Sequence, residues 1–468
     1  MRPEIINTLT TTTANTDIFD KKLDLVTEGI QGQTCRLLKS RIRNKTNTKS
    51  IVDFILALKT EANISDSYKE TLIKIIGHLS LLSADKPFKE MARDEVLAFL
   101  DRLRKPEASD PLHKWIGTYN LNVVVLIRFF KWLFNPNLEQ RKRPKPSVVE
   151  NISKLKRKEQ SIYKSSDMWT VQDDLMFLKY CPSVRDRCYH TMARDLSCRP
   201  SEILRLKIRD VAFKSAGNSQ YADVVVNGKT GTRPLPLIDS IPYIKDWLDE
   251  HPQRGNPNAY LIVSRNRKNF GRKISSKGLN TLYNRTYRDS YFPRLLQDPN
   301  VPPEDKQKIA ELLKKPWCPY IRRHSALTEK STILKDLPFK QHAGWSPRSQ
   351  MHLRYVHYFG NESSESLLET RGIITTNKNL LVEGMKSKQC PNCSEPNKPD
   401  SKFCAKCKMV LTYDAYNETL QGQKEKEDRL SALEKQMMSL VNVLGNIEGQ
   451  GKNEFAKCLF ESGIYKKE

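Results

Sequence analysis

The sequence predicts a mainly α protein with a small antiparallel β-sheet: an all-α N-terminal domain, an α+β domain, a cysteine-built module and a short coiled coil. Three observations predict it. Apolar residues recur at helical spacing through most of the chain. One stretch, Tyr221 to Val226, is strand-like instead and meets Asn227-Gly228 before a second extended piece through Pro236. Asn-Gly between such segments is the strongest short-range hairpin signal. Lastly, four of the ten cysteines fall into two close pairs near the C-terminal end.

Residues 1–25 are polar and Thr-rich and read as a flexible arm. A helical domain follows over 26–135. Leu72, Ile73, Ile75, Ile76, Leu79 and Leu82 make one buried face, and Asp94 is a candidate N-cap for the helix carrying Val96, Leu97, Leu100 and Leu103. The run Val123 to Phe134 is apolar nearly all round, as a central helix requires. Asn135-Pro136-Asn137 ends it. Residues 136–165 form a linker whose Arg141-Lys142-Arg143-Pro144-Lys145-Pro146 segment cannot be helical. Its charges suit either a solvated linker or a strap along phosphates.

The α+β domain spans 166–372. It holds the hairpin, a helix at about 238–250, a short strand at Tyr260-Leu261-Ile262-Val263, and then helices. Cys390, Cys393, Cys404 and Cys407 within 386–412 form a C-x2-C, x10, C-x2-C array, whose four thiolates can close a tetrahedral site on one structural zinc ion. Over 424–448, Leu430, Leu433, Met437, Leu440, Leu444 and Ile447 are spaced 3, 4, 3, 4, 3. That is the a/d seam of a coiled coil, able to serve oligomerisation or to pack on its own chain.

Composition narrows the function. The 468 residues are too many for one ordinary core. Lys plus Arg total 79 against 54 Asp plus Glu, a formal net charge of +25. A surplus that large favours a polyanionic partner, because each neutralised phosphate releases condensed counterions. No run reaches the roughly 18–20 apolar residues of a membrane span, and the N-terminus lacks the apolar segment of a signal peptide. A disulfide framework does not fit so long a chain with scattered cysteines. The expectation is a cytoplasmic, nucleoid-associated protein without a membrane partner.

Several residues carry candidate chemistry. Arg199 sits before Pro200, which can open a helix, with Glu202 placed to orient its guanidinium. Lys229 follows the Asn-Gly turn on a hairpin tip. Tyr320 precedes Arg323 by three residues in Pro319-Tyr-Ile-Arg-Arg323-His-Ser325. Trp345 offers an indole N–H ahead of Tyr355 on an expected helix. Breaking a phosphodiester by a side-chain nucleophile needs these types together: a hydroxyl, cations for the phosphorane, and an acid for the leaving oxygen.

In this order and spacing, over about 166–365, the residues resemble the tyrosine recombinase (phage integrase) family. Its pattern is Arg, hairpin Lys, His-x-x-Arg, His or Trp, then Tyr. The resemblance implies that Arg199 and Arg323 clamp the phosphate and that Lys229 protonates the departing 5′ oxygen. It implies that Trp345 bonds a non-bridging oxygen and that Tyr355 is the nucleophile. Arg323-His324-Ser325 matches the family's frequent Arg-His-Ser/Thr. More loosely, the helical region 26–135 resembles the family's core-binding domain. Expected partners are double-stranded DNA at an attachment or crossover site and further copies of the chain, as a tetramer on DNA. No catalytic metal or nucleotide is implied.

One position departs. Tyr320 stands where most members have His, and a phenol, which ordinarily titrates near pH 10, mostly donates hydrogen bonds. Tyr320 would then only position a phosphate oxygen. His342 is an alternative base or a structural residue. Some archaeal members resemble this chain in carrying Lys or Tyr at that position, which suggests an archaeal mobile element. Two rivals share features: a type IB topoisomerase, similar in catalytic set, and a non-enzymatic zinc-ribbon DNA-binding protein.

Overall fold

The computed structural model describes residues 18–156, 163–217, 219–228, 231–358, 368, 371–373 and 384–445. The chain divides into two compact units, residues 1–162 and 163–468. Among the described residues, no helix is long and apolar enough to cross a membrane.

The first unit is all-helical. Its helices are α1 (18–27), α2 (Gly32–Arg36), α3 (Lys45–Ala62), α4 (Asp66–Leu82), α5 (Arg93–Asp101) and α6 (Trp115–Phe134). The core lies where α3, α4 and α6 meet, around edge-to-face contacts of Phe129 with Phe54 and Phe88. Helix α6 is less central than its composition suggests: Val123, Leu126, Phe130 and Leu133 are buried, whereas Leu121, Val124 and Phe134 face solvent. The α5 N-cap is Ala92 rather than Asp94, because the Glu95 carboxylate reaches back to accept from the Ala92 N–H at 2.7 Å. Val148, Val149 and Ile152 return to the same core. In the basic segment before them, Arg141, Lys142 and Lys145 are exposed. Arg143 is not: it is buried and donates to Glu61 and to the Asn135 carbonyl.

The second unit begins with α7 (Val171–Tyr180) and α8 (Val184–Leu196), then a short α9 (Pro200–Ile203). Strands β1 (Val211–Ala216), β2 (Ser219–Gly228) and β3 (Gly231–Leu237) form an antiparallel sheet in that order. Helix α10 (Ile241–Asp249) follows. The chain then runs through α11 (Ser276–Thr281), a π-helical stretch (Leu282–Tyr291) and α12 (Phe292–Leu295). Next come α13 (Pro303–Lys314), α14 (Pro319–Ile333), α15 (Asp336–Ala343) and α16 (Met351–Tyr358). Two expectations shift. Asn227 and Gly228 are paired with Thr232 and Gly231, so both belong to the strand rather than to the turn. Tyr260 to Val263 makes only isolated bridges, Tyr260 to Lys207 and Val263 to Lys273, rather than a strand.

A buried ionic hub ties α7, α8 and α14 together. Asp174 is 1% exposed and accepts from Arg322 at 2.6 Å and from His190 Nε2 at 2.8 Å, with Arg194 at 3.6 Å. Burial lowers the His190 pKa, so the neutral ring donates from Nε2 while Tyr283 donates to Nδ1. Burial works to raise the Asp174 carboxyl, but Arg322, His190 and Arg194 outweigh it and hold the carboxyl below its ordinary range. Asp174→Ala strands these partners and is expected to cost about 3–5 kcal/mol in urea unfolding at neutral pH. A depressed folded-state pKa means this stabilisation is complete above the unfolded-state value and disappears as pH falls through the folded one. The gap between wild type and variant therefore narrows in acid.

At the C-terminal end, β4 (Lys388–Gln389) pairs with β5 (Pro396–Asn397), and α17 (Tyr413–Gly445) closes the described chain. Leu430, Leu433, Met437 and Leu440 lie exposed on α17. Of the remaining seam positions, the Leu444 side chain and Ile447 fall outside the described residues.

Candidate active site

Helix α8 ends because Ser197 adopts a left-handed conformation (φ 49°), and Pro200 opens α9 two residues after Cys198. Arg199 is thereby left as the N-cap of α9, with its side chain 28% exposed. Glu202 closes the cap, accepting from the Arg199 N–H at 3.0 Å and from Arg199 Nη1 at 2.8 Å. Glu202 itself is 3% exposed. Burial would raise its carboxyl, yet bonds from Arg199 and Arg233 hold it below the ordinary carboxylate range.

Arg233 received no role from the sequence, although the register contained a clue. On β3, Arg233, Leu235 and Leu237 alternate with exposed residues and share the buried face. The arginine donates to Glu202 Oε2 at 3.1 Å, to Cys198 Sγ at 3.2 Å and to the His342 carbonyl at 3.0 Å. It therefore bolts the hairpin to both α9 and the end of α15. Two glycines make room for the bolt. A Cβ on Gly228 would lie 2.6 Å from Glu202 Oε1, and one on Gly344 (φ +67°) 2.5 Å from Arg233 Nη1. Lys229 lies outside the described residues, but its neighbour Gly228 rests against the carboxylate that orients Arg199.

Helix α14 carries Tyr320, Arg323 and His324. Arg323 is 2% exposed and donates to the Ser197 carbonyl at 2.6 Å and the Ala343 carbonyl at 2.8 Å. Burial pulls its guanidinium below the ordinary range and Arg199 repels it; Tyr355 and Tyr320 act the other way. Arg322, the next-door arginine, turns to Asp174 instead. Ser325 is buried, accepting from the Trp169 N–H at 2.8 Å and donating to the Ile321 carbonyl. Tyr320 is 41% exposed and stands beside Arg199.

Tyr355, on α16, is 3% exposed. Its ring stacks on Trp345 (centroids 5.3 Å apart, 29° between planes) and meets Phe339 edge-on at 6.2 Å. Its hydroxyl lies 3.1 Å from His324 Nδ1. His342, the alternative base, is half-buried and its imidazole is pushed down to about 3, by burial first and then by Lys330, Arg233 and Arg323. A ring so hard to protonate is poorly placed to take a proton, and its backbone carbonyl is what Arg233 uses. The structure thus gathers Arg199, Tyr320, Arg323, Trp345 and Tyr355 at one place, and adds Arg233 and His324.

A separate cluster lies in the C-terminal module. Sγ atoms of Cys390, Cys393, Cys404 and Cys407 all lie within 4.8 Å of one another, with pairs at 3.4, 3.5 and 3.6 Å. Thiolates at about 2.3 Å from one tetrahedral ion would be separated by about 3.8 Å, so the four cysteines could hold a single zinc. The module is latched to α10 by two ion pairs, Lys245 with Glu395 and Lys398 with Asp246. Lys398 also lies over the Tyr243 ring at 5.6 Å.

No family model matches the sequence, and no curated protein matches it. Among solved structures, the chain is similar to a XerH site-specific recombinase bound to palindromic difH substrate in a post-cleavage complex. Identity there is 15% over 73% of this chain and 98% of that chain, with a TM-score of 0.46. It is also similar to a lambda integrase dimer bound to a COC′ core site (15%, 67% and 96%, TM-score 0.44). A third is the Tn1549 transposon integrase in complex with transposon right end DNA (11%, 69% and 98%, TM-score 0.42). All three are recombinases or integrases. Likeness at this level fixes no activity, and the functional reading rests on the side chains of the site.

Proposed function

We propose that the chain is a site-specific DNA recombinase of the tyrosine recombinase type, cleaving and rejoining duplex DNA through a 3′-phosphotyrosyl intermediate. One observation carries the reading. Buried Arg323 spans the Ser197 and Ala343 carbonyls, two residues from a second arginine, Arg199, and two from Trp345, on whose ring the Tyr355 ring stacks. A phosphate is the natural occupant of such a pair, because its charge relieves their mutual repulsion.

In the proposed reaction the Tyr355 oxygen bonds to phosphorus and the bond to the 5′ oxygen breaks. Arg199 and Arg323 stabilise the phosphorane, Trp345 donates its indole N–H, and Lys229 delivers a proton to the departing oxygen. A 5′ hydroxyl from a partner duplex then displaces Tyr355. Each step exchanges one phosphodiester for another, so neither ATP nor a catalytic metal is required. Rejoining between two duplexes calls for several copies of the chain, and we assign the assembly as a tetramer on DNA. The +25 net charge supports a DNA partner. The Tyr-x-x-Arg form of the motif supports an origin in an archaeal mobile element, and the place of action would be the cytoplasm.

The test uses a pool of nicked suicide duplexes of randomised sequence, in which cleavage releases a short strand and traps the adduct. Detergent-resistant protein–DNA complexes are recovered and sequenced. A recombinase enriches one site; relaxation of plasmids without sequence preference would point to a topoisomerase; no adduct from any duplex would sink the enzyme reading. For the ribbon, about one zinc per chain is expected by elemental analysis of the purified protein. Cys393→Ser should lose that zinc, and a metal-free wild type with an intact ribbon would refute the assignment.

A further inference from the structure

Tyr355 must lose its phenolic proton as it attacks, and the position from which a histidine would usually serve holds Tyr320. Resting on the recombinase reading, we propose that His324, one helical turn further along α14, is the base that accepts this proton. Residues four apart on a helix lie on the same face, so an imidazole at 324 can reach ground that residue 320 overlooks. The rings of Tyr320 and His324 meet edge-on at 5.0 Å. On its other contacts His324 lies 5.3 Å from the Tyr163 ring and 5.7 Å from the Tyr355 ring, nearly parallel to the latter at 26°.

The decisive contact is Tyr355 Oη to His324 Nδ1 at 3.1 Å. That distance lies within the range a general base needs to its proton. With its own hydrogen on Nε2, the ring accepts from the phenol at Nδ1. As the oxygen–phosphorus bond forms, the phenolic proton moves to Nδ1 and leaves an imidazolium. Lys229 supplies a different proton to the 5′ oxygen. On rejoining, the attacking 5′ hydroxyl gives its proton back to Lys229, the imidazolium returns its proton to the departing Tyr355 oxygen, and the enzyme is restored with no net proton change.

Titratable groups surround the His324 ring on several sides. The phenols of Tyr163, Tyr320 and Tyr355 face it directly. Behind them stand two cations, Arg199 beside Tyr320 and Arg323 beside Tyr355. Imidazole is the side chain whose protonation changes between pH 5 and 8, so the mechanism predicts a pH signature.

Single-turnover adduct formation on the selected nicked duplex is measured across that range. The wild-type rate should climb as the ring loses its proton and then level off. His324→Gln should be slower by about 10²–10⁴-fold and lose the climb. Tyr320→Phe should keep it, and His324→Gly should regain rate with added imidazole. A His324→Gln variant that retains the wild-type rate or the same rising profile overturns this assignment while leaving the recombinase intact. A wild type that forms no adduct overturns the recombinase reading and this one together. Nitrogen NMR of the wild type guards against a variant that fails to fold. An Nε2–H tautomer whose Nδ1 resonance moves in Tyr355→Phe is expected, and an Nδ1–H tautomer overturns the assignment.

Discussion

Tyr355→Phe is expected to abolish the covalent protein–DNA adduct while leaving the fold intact. The substitution removes one oxygen and nothing else. The ring stays stacked on Trp345 and edge-on to Phe339, where its burial is sustained by apolar contact. The hydroxyl makes a hydrogen bond with His324, and its loss should cost about 1 kcal/mol. A melting curve close to that of the wild type, together with no detergent-resistant adduct, would place the whole loss on the chemistry. Residual adduct at wild-type yield would show that another nucleophile makes the bond.

Arg323→Ala should fail in both respects. The guanidinium donates to the carbonyls of Ser197, at the end of α8, and Ala343, at the end of α15. Truncation leaves two carbonyls without this donor in a site where the arginine is 2% exposed. At about 1–3 kcal/mol per unsatisfied group, the loss of stability is about 2–6 kcal/mol. Adduct formation should also slow by about 10²–10³, the usual effect of removing one preorganised donor. Arg323→Lys separates the two effects. It keeps the charge, but a single ammonium cannot span both carbonyls with the rigid fork of an arginine. Urea unfolding should therefore place it between alanine and wild type, with the rate still low. A lysine variant of full activity would show that charge alone suffices and that the fork has no catalytic part.

Much of the local construction was legible in the residues themselves. Pro200 announces the start of α9, and the three-residue step from Arg199 to Glu202 announces the cap that orients the guanidinium. Four cysteines in paired spacing announce their cluster. These are all short-range features, set by backbone geometry within one turn. What escaped depends on distant partners. His324 acquires its meaning from a tyrosine 31 residues away, which reaches it only once α16 packs against α14. Arg233 was visible as an inward-facing residue on β3, but nothing nearby in sequence names Glu202 or the His342 carbonyl as its partners. Asn-Gly misled because strand pairing continues through both residues. Tyr260 to Val263 has the apolar character of a strand, yet its neighbours pair with it only at its two ends.

Helix α17 sets a distance scale at the far end of this unit. At 1.5 Å per residue, its 33 residues extend about 50 Å, the length of about fifteen base pairs of duplex. The apolar seam starts at Leu430, about 25 Å along that rod from Tyr413. The rod is anchored at its start, where Ala415 is buried and Lys402 pairs with Glu418. Whatever meets the seam is therefore held at arm's length from the cysteine cluster. Shortening or lengthening the rod by whole heptads would change that reach while leaving the seam's own pattern untouched.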